Sequence, residues 1–238
     1  RVSRYGIFDL APTLDHIGPM CRNAADTAAV LNIIAGADPN DPTTSSVPVP
    51  NYLAGLERGI NGLRFGFDPQ YNRDGVDREM VQTIKATLAT LKAMGADLRE
   101  VTFPNTDEVV ESWAAHCGIE TAFAHQQTYP KQKKQYGSAL TRLIEVGLAL
   151  SATDYQRILL IRHRFCGAVR AMFNDIDILV IPAQPMASPT WKQRSAARKN
   201  SKTASALIRF TAPFDFTGSP ALTMQSGFTK TDMPVAIQ

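Results

Sequence analysis

What this 238-residue chain has little of narrows its chemistry first. There are three cysteines, Cys21, Cys117 and Cys166, and no Cys-x-x-Cys pair. An odd, widely spaced set argues against a disulfide framework and a cysteine-built zinc site, and fits reduced thiols in a cytoplasmic setting. No run of about 18 apolar residues could span a bilayer, and no basic-apolar-small leader opens the chain. The pentapeptide G-x-S-x-G is absent, so a Ser/His/Asp hydrolase has no nucleophile elbow. With neither a P-loop nor G-x-G-x-x-G, phosphate cradling by a Gly-rich turn has no support. Charge of one sign is scarce too, because 25 Lys and Arg against 22 Asp and Glu leave a net +3. That is too little to make nucleic acid the main partner. Lys192, Arg194, Arg198, Lys199 and Lys202 cluster without an acid between them. The cluster reads as a solvated loop rather than an anion or RNA contact.

What is present is ordinary for a globular protein, with 44% hydrophobic and 20% charged residues. The length allows one large core or two small ones. Asn23 is placed to cap a helix to Ala35, with Gly36 ending it. The segment from Asp38 to Ser46 is rich in Pro and Asx residues and reads as an ordered surface loop. Leu63–Phe67 reads as a strand. A helix from Asp74 or Asp77 follows, with Met80, Val81, Ile84, Leu88 and Leu91 on one face, and then a strand at Leu98–Phe103. Strand, helix and strand in so short a span predict a parallel crossover unit. Residues 107–174 read as helices: from Thr106 or Asp107 to Tyr129, over Ser138–Leu148, and from a capping box at Ser151 and Asp154 to Phe173. Ile176–Ile181 has a buried-strand pattern. Pro182–Lys202 reads as polar and irregular, Ala204–Phe210 as a short helix, and Ala221–Gln225 with Val235–Gln238 as paired strands.

Among polar candidates, His116 and Glu120 share a helix face at i, i+4, a ligand-compatible spacing, but H-E-x-x-H is missing. His116 and Cys117 are adjacent on a helix and so do not face each other. A structural histidine is the expectation. Asp15, in Leu14-Asp15-His16-Ile17-Gly18-Pro19, has no obvious acid–base partner and reads as a turn residue.

Two segments carry a resemblance. Arg1–Met20 (RVSRYGIFDLAPTLDHIGPM) resembles the stretch after the Gly/Ser-rich catalytic core of the amidase signature family of C–N hydrolases, and Phe210–Leu222 (FTAPFDFTGSPAL) resembles a later motif of that family. Asp177–Pro185 and Ala35–Thr43 match two further segments in the same order. The resemblance implies a layered α/β/α fold around a mixed twisted sheet, here incomplete at both ends, so that residues 1–238 form one incomplete α/β domain. It implies amide hydrolysis through a Ser acyl-enzyme with a Ser–Ser–Lys triad and no metal or organic cofactor. The Gly/Ser-rich run that carries the triad is expected upstream of Arg1, so no catalytic residue is assigned here and the chain alone is expected to be inactive.

In the A-type amidotransferase proteins of this family, an Arg seven residues before Ala-Leu-Ser binds the substrate carboxylate. Arg142, ahead of Ala149-Leu150-Ser151, matches that spacing and is the candidate substrate-binding residue. A guanidinium suits the task through its planar fork. The alternative is a surface Arg paired with Glu145. Those proteins also place an Asp just before their Thr-x-Pro motif to meet the glutamine amine. Leu207–Pro213 has none, which weakens a glutamine-using aminoacyl-tRNA amidotransferase as the second reading. The third is a non-catalytic binding protein that keeps half the fold. The partners implied are a small-molecule amide substrate and the missing N-terminal part of the same protein. Neither membrane nor nucleic acid is expected, and a homodimer stays open.

Overall fold

The computed structural model describes residues 1–197 and 201–238. Helix α1 (Ala24–Ile34) starts where Asn23 accepts the Asp26 amide at 2.8 Å. Of its residues only Ala28 is buried, while Val30, Ile33 and Ile34 face outward. The apolar side of α1 therefore does not enter this core. The following loop is ordered by its aspartates. Asp41 accepts the Arg4 amide and the Thr43 hydroxyl, and Asp38 accepts the Ser3 hydroxyl, so the loop fastens the N-terminal segment.

The predicted crossover unit is present as β1 (Arg64–Phe67), α2 (Arg78–Ala93) and β2 (Asp97–Glu100), with β1 and β2 parallel. Met80, Ile84 and Leu88 are the buried stripe of α2. Then come α3 (Asp107–Ala124), α4 (Tyr129–Gln132), α5 (Ser138–Leu148) and α6 (Ala152–Met172). The first of these stops at Ala124, short of Tyr129. Pro130 lies in the first turn of the separate α4 instead, because a proline there lacks only an N–H that would be unpaired anyway. At α6 the capping box is complete, with Ser151 and Asp154 each accepting the other's amide.

The chain returns through β3 (Ile178–Leu179), α7 (Trp191–Ala197), α8 (Ser201–Ile208), α9 (Ala212–Thr217), β4 (Met224–Phe228) and β5 (Pro234–Ile237). Helix α7 departs from the irregular loop read from the sequence. Thr190 and Gln193 cap it reciprocally: the Thr190 amide donates to the Gln193 side chain and the Gln193 amide to the Thr190 hydroxyl. Lys192 and Arg194 thus lie exposed on a helix, and Arg198 and Lys199 lie outside the described residues. No helix among the described residues is long and apolar enough to cross a membrane.

Strand order is β2-β1-β3, all parallel, and β4-β5 is an antiparallel pair. Beyond β3 the chain pairs with the end of the β5 segment, since Ile181 and Gln238 exchange both amide hydrogen bonds. This joins the two sheets and makes the whole mixed. Successive residues point to opposite faces. Val180 enters a core under α2 with Phe65, Ile84 and Leu88, while Leu179 and Ile181 enter a larger core under α3, α6 and α9. The result is the α/β/α layering the resemblance implied.

Helices α3 and α5 cross backbone to backbone at two buried glycines. A Cβ on Gly147 would lie 1.9 Å from the Gly118 carbonyl oxygen. That atom belongs to a helix backbone and cannot swing aside. Gly147→Ala is therefore expected to destabilise the fold by roughly 3 kcal/mol, the upper range for overpacking a tight core. Urea unfolding checks it, and a variant within about 0.5 kcal/mol of wild type, the spread of neutral surface changes, contradicts the crossing.

Candidate functional site

A buried polar cluster joins the N-terminal segment to three helices. Residues 11–15 form a tight turn, with the amides of Leu14 and Asp15 both reaching the Ala11 carbonyl. Asp15 closes it by accepting the amides of Leu10 and Ala11 at 2.8 and 3.1 Å, the structural part its setting predicted. Thr13, at the tip, meets Glu120 of α3. Its amide donates to Oε2 at 2.8 Å and its hydroxyl to Oε1 at 2.6 Å. His116 Nε2 lies 2.7 Å from the same Oε1, and the Tyr155 hydroxyl of α6 donates to it at 3.3 Å. From α6, Arg162 closes the cluster. Nη1 donates to the Thr13 hydroxyl at 2.6 Å, Nη2 to the Thr13 carbonyl at 3.0 Å, and Nε to the Phe216 carbonyl of α9 at 2.8 Å.

A hydroxyl, an imidazole and a carboxylate in contact invite comparison with a hydrolytic triad. The geometry refuses it. In a triad the imidazole bridges, one nitrogen to the hydroxyl and the other to the carboxylate. Here Nε2 faces both groups, at 3.4 Å from Thr13 and 2.7 Å from Glu120, and Nδ1 is buried without a partner. The Thr13 proton is already given to Glu120. His116 is wholly buried, edge-on to Tyr155 and tilted against Phe216. The expected structural histidine is what the fold contains. Burial works against the charged form of Glu120, but the hydrogen bonds from His116 and from Thr13 outweigh it and hold the carboxyl below its ordinary value of 4.5.

Beside this cluster, His16 and Asp215 approach to 3.5 Å on an open face. The carboxylate of Asp215 raises the His16 pKa above its ordinary 6.5, against partial burial. Arg142 stands elsewhere, exposed on α5. Glu145 does not pair with it: its carboxylate takes Lys133 at 2.6 Å and the Tyr129 hydroxyl at 3.2 Å. Among the described residues no hydrogen bond or ion pair engages the Arg142 guanidinium.

A groove of about 1060 Å³ opens at the C-terminal ends of β1 and β2, between Tyr71, Phe103, Thr106 and Arg209. Carboxyl ends of parallel strands are where α/β sheets bind ligands. Its strongest polar groups, however, are committed to the fold. Asp68 accepts three backbone amides, from Gln70, Tyr71 and Phe103. Arg209 lies over the Tyr71 and Phe210 rings at 4.5 and 4.8 Å and donates to the Tyr71 and Asp74 carbonyls.

The Cys117 thiol is pushed up to about 12 by burial, and Cys21, Cys117 and Cys166 are all free. Cys117 is therefore not a thiolate nucleophile of the kind a lowered pKa produces.

The sequence model of the Amidase family matches residues 1–238. The chain belongs to the amidase family. A protein named putative amidase AmiD, from Mycobacterium bovis, is 34% identical over 239 residues, covering 100% of this chain and 50% of the relative. The A-type subunit of a glutamyl-tRNA(Gln) amidotransferase from a Geobacter species is 31% identical over 266 residues, covering 100% of the chain and 53% of the relative. A solved crystal structure of an amidase superposes with a TM-score of 0.79 at 23% identity, over 100% of this chain and 51% of that one. This amidase-family chain thus spans about half the length of the curated relatives it matches.

The buried carboxylate has a pH signature. A carboxyl held below its unfolded value stabilises the fold above that value and loses the contribution as pH falls through the depressed one. Glu120→Gln should therefore be less stable than wild type at neutral pH, with the gap narrowing below about pH 4.5, near the unfolded carboxyl value. Urea midpoints across pH check it. A gap that is constant or widens on acidification contradicts the ionised, hydrogen-bonded Glu120.

Proposed function

We propose that this chain is the C-terminal part of an amidase that cleaves a carboxylic amide C–N bond through a Ser acyl-enzyme. The nucleophile, the bridging Ser and the Lys lie upstream of Arg1. The observation that carries the reading is a family match along all of residues 1–238 in a chain about half as long as its amidase relatives. The upstream Gly/Ser-rich run supplies attack, proton relay and oxyanion donors together. The residues of this chain supply sheet edges, helical cover and part of the substrate pocket, and the single domain is completed by the upstream segment.

Exposed apolar side chains in the first part of the chain support that completion. Phe8 is 71% exposed, Met20 fully exposed and Ile33 84% exposed, with Tyr5, Ile7 and Ile34 nearby in sequence. So many large apolar side chains in water are costly for a finished surface and usual for one that another segment covers.

A glutamine-using amidotransferase is the second reading, favoured by the Geobacter relative. It is opposed by the segment Leu207–Pro213, where no Asp offers a glutamine α-amine its counter-charge.

Arg142 is proposed to anchor a carboxylate or other polar end of the amide substrate. What supports this is an exposed guanidinium with no protein partner among the described residues, its expected competitor Glu145 being bound to Lys133. In the protein extended upstream to the length of its relatives, Arg142→Ala should lower kcat/KM by about 1.5–3 kcal/mol, the range for a hydrogen bond to a charged group. The loss should be confined to substrates bearing that end, and Lys should restore only part of it, since a point charge lacks the planar fork. Equal kcat/KM for mutant and wild type on both kinds of amide overturns the anchor.

A further inference from the structure

We infer that Arg162 is a positioning residue of the proposed amidase, clamping the turn at Thr13 to the C-terminal end of α9 so that the two family-like segments meet in one geometry. The inference rests on the amidase reading and concerns residues that it does not use. Residues 1–20 and 210–222 lie far apart in sequence, yet three oxygens from them converge on one side chain. These are the Thr13 hydroxyl, the Thr13 carbonyl and the Phe216 carbonyl, at 2.6, 3.0 and 2.8 Å from three different nitrogens of Arg162. Only a guanidinium presents that many N–H groups in one rigid plane. The plane also lies near the Phe216 ring, with its carbon 5.8 Å from the ring centre.

The clamp is backed by an opposite charge. The Thr13 hydroxyl accepts from Arg162 and donates to Glu120, so it links the cation and the buried anion and its own orientation is settled. Glu120 in turn holds the Thr13 amide. The turn is thus gripped from both sides, by α3 and by α6. Two neighbours of the gripped atoms reach the open face: His16, three residues after Thr13, and Asp215, next to Phe216. They lie 3.5 Å apart. Loss of Arg162 leaves Cys166 Sγ, at 3.4 Å, as the remaining side-chain donor to the Phe216 carbonyl and removes the tie between Thr13 and that carbonyl.

Arg162 is only half-buried and its work is complete within the protein, which distinguishes it from Arg142. It acts on the reaction through the segments it holds and does not touch substrate. A displacement of about 1 Å at such a support costs up to roughly 100-fold in rate.

The test uses the protein extended upstream to the length of its relatives. Arg162→Ala should lower kcat roughly 10- to 100-fold with KM within about twofold, because positioning is lost rather than ground-state binding. Arg162→Lys should recover a minor part, and added guanidinium ion should restore turnover in Arg162→Ala without raising its Tm. Leu88→Ala, in the core on the other face of the sheet, serves as a variant of lowered Tm that keeps wild-type kcat. If Arg162→Ala does not accumulate as folded protein, Thr13→Val removes the shared hydroxyl alone and should lower kcat about fivefold, the equivalent of one hydrogen bond. Wild-type kcat in Arg162→Ala or Thr13→Val overturns the clamp. So does a kcat loss no greater than that of Leu88→Ala at equal Tm. An inactive wild-type protein overturns the amidase reading itself and is distinguished from either result.

Discussion

Glu120 places a carboxylate at 5% exposure, and an ionised group in such a setting costs several kcal/mol unless donors surround it. The donors come from three places: Thr13 in the N-terminal turn, His116 one turn earlier on α3, and Tyr155 on α6. Each lost donor makes the charged, buried carboxylate costlier to keep. The constraint therefore ties the first fifteen residues to the helical layer, and Arg162 extends it to α9. The aromatic core under these helices, with Phe103, Phe165, Phe214 and Phe216, packs against the same elements and supplies the non-directional part of the stabilisation. Hydrophobic burial alone would let these helices settle in several packings; the directional hydrogen bonds to Glu120 and Thr13 select one.

The contrast between two arginines organises the functional picture. Arg162 has its nitrogens committed to Thr13 and Phe216, so its charge serves architecture. Arg142 is exposed with no partner among the described residues, and its neighbour Glu145 is drawn off by Lys133. A free fork on a helix is available to a ligand carboxylate, whereas a saturated one is not. The same distinction separates the groove at Arg209, whose guanidinium is stacked and bonded in place, from a recognition site.

How much of this is legible in the sequence follows from the range of each signal. The β1–α2–β2 unit is readable because the Met80, Ile84, Leu88 stripe and its flanking strands are local patterns. The limits of α5 match those read from its sequence, and the Ser151–Asp154 box announces α6. The Thr190–Gln193 box is just as local, yet it sits in a polar stretch that reads as loop, which hides α7. Pro130 reads as the residue after a helix and lies in the first turn of one instead. The candidate site is least legible. The i, i+4 spacing of His116 and Glu120 is visible, but its purpose lies 103 to 107 residues away at Thr13. Arg162 to Thr13 spans 149 residues, a contact no periodicity encodes. Asp15 is readable as a turn residue because both amides it binds are within five positions.

The central proposal is that this amidase-family chain is completed by an upstream segment that covers its exposed apolar side chains. The most direct test expresses residues 1–238 and the upstream half separately and assays amide hydrolysis and apolar-dye binding for each half and for the mixture. The account predicts no turnover and strong dye binding for residues 1–238 alone. Mixing should produce hydrolysis together with loss of the dye signal. Turnover by purified residues 1–238 alone, or a mixture that hydrolyses amides while dye binding persists as before, would contradict it.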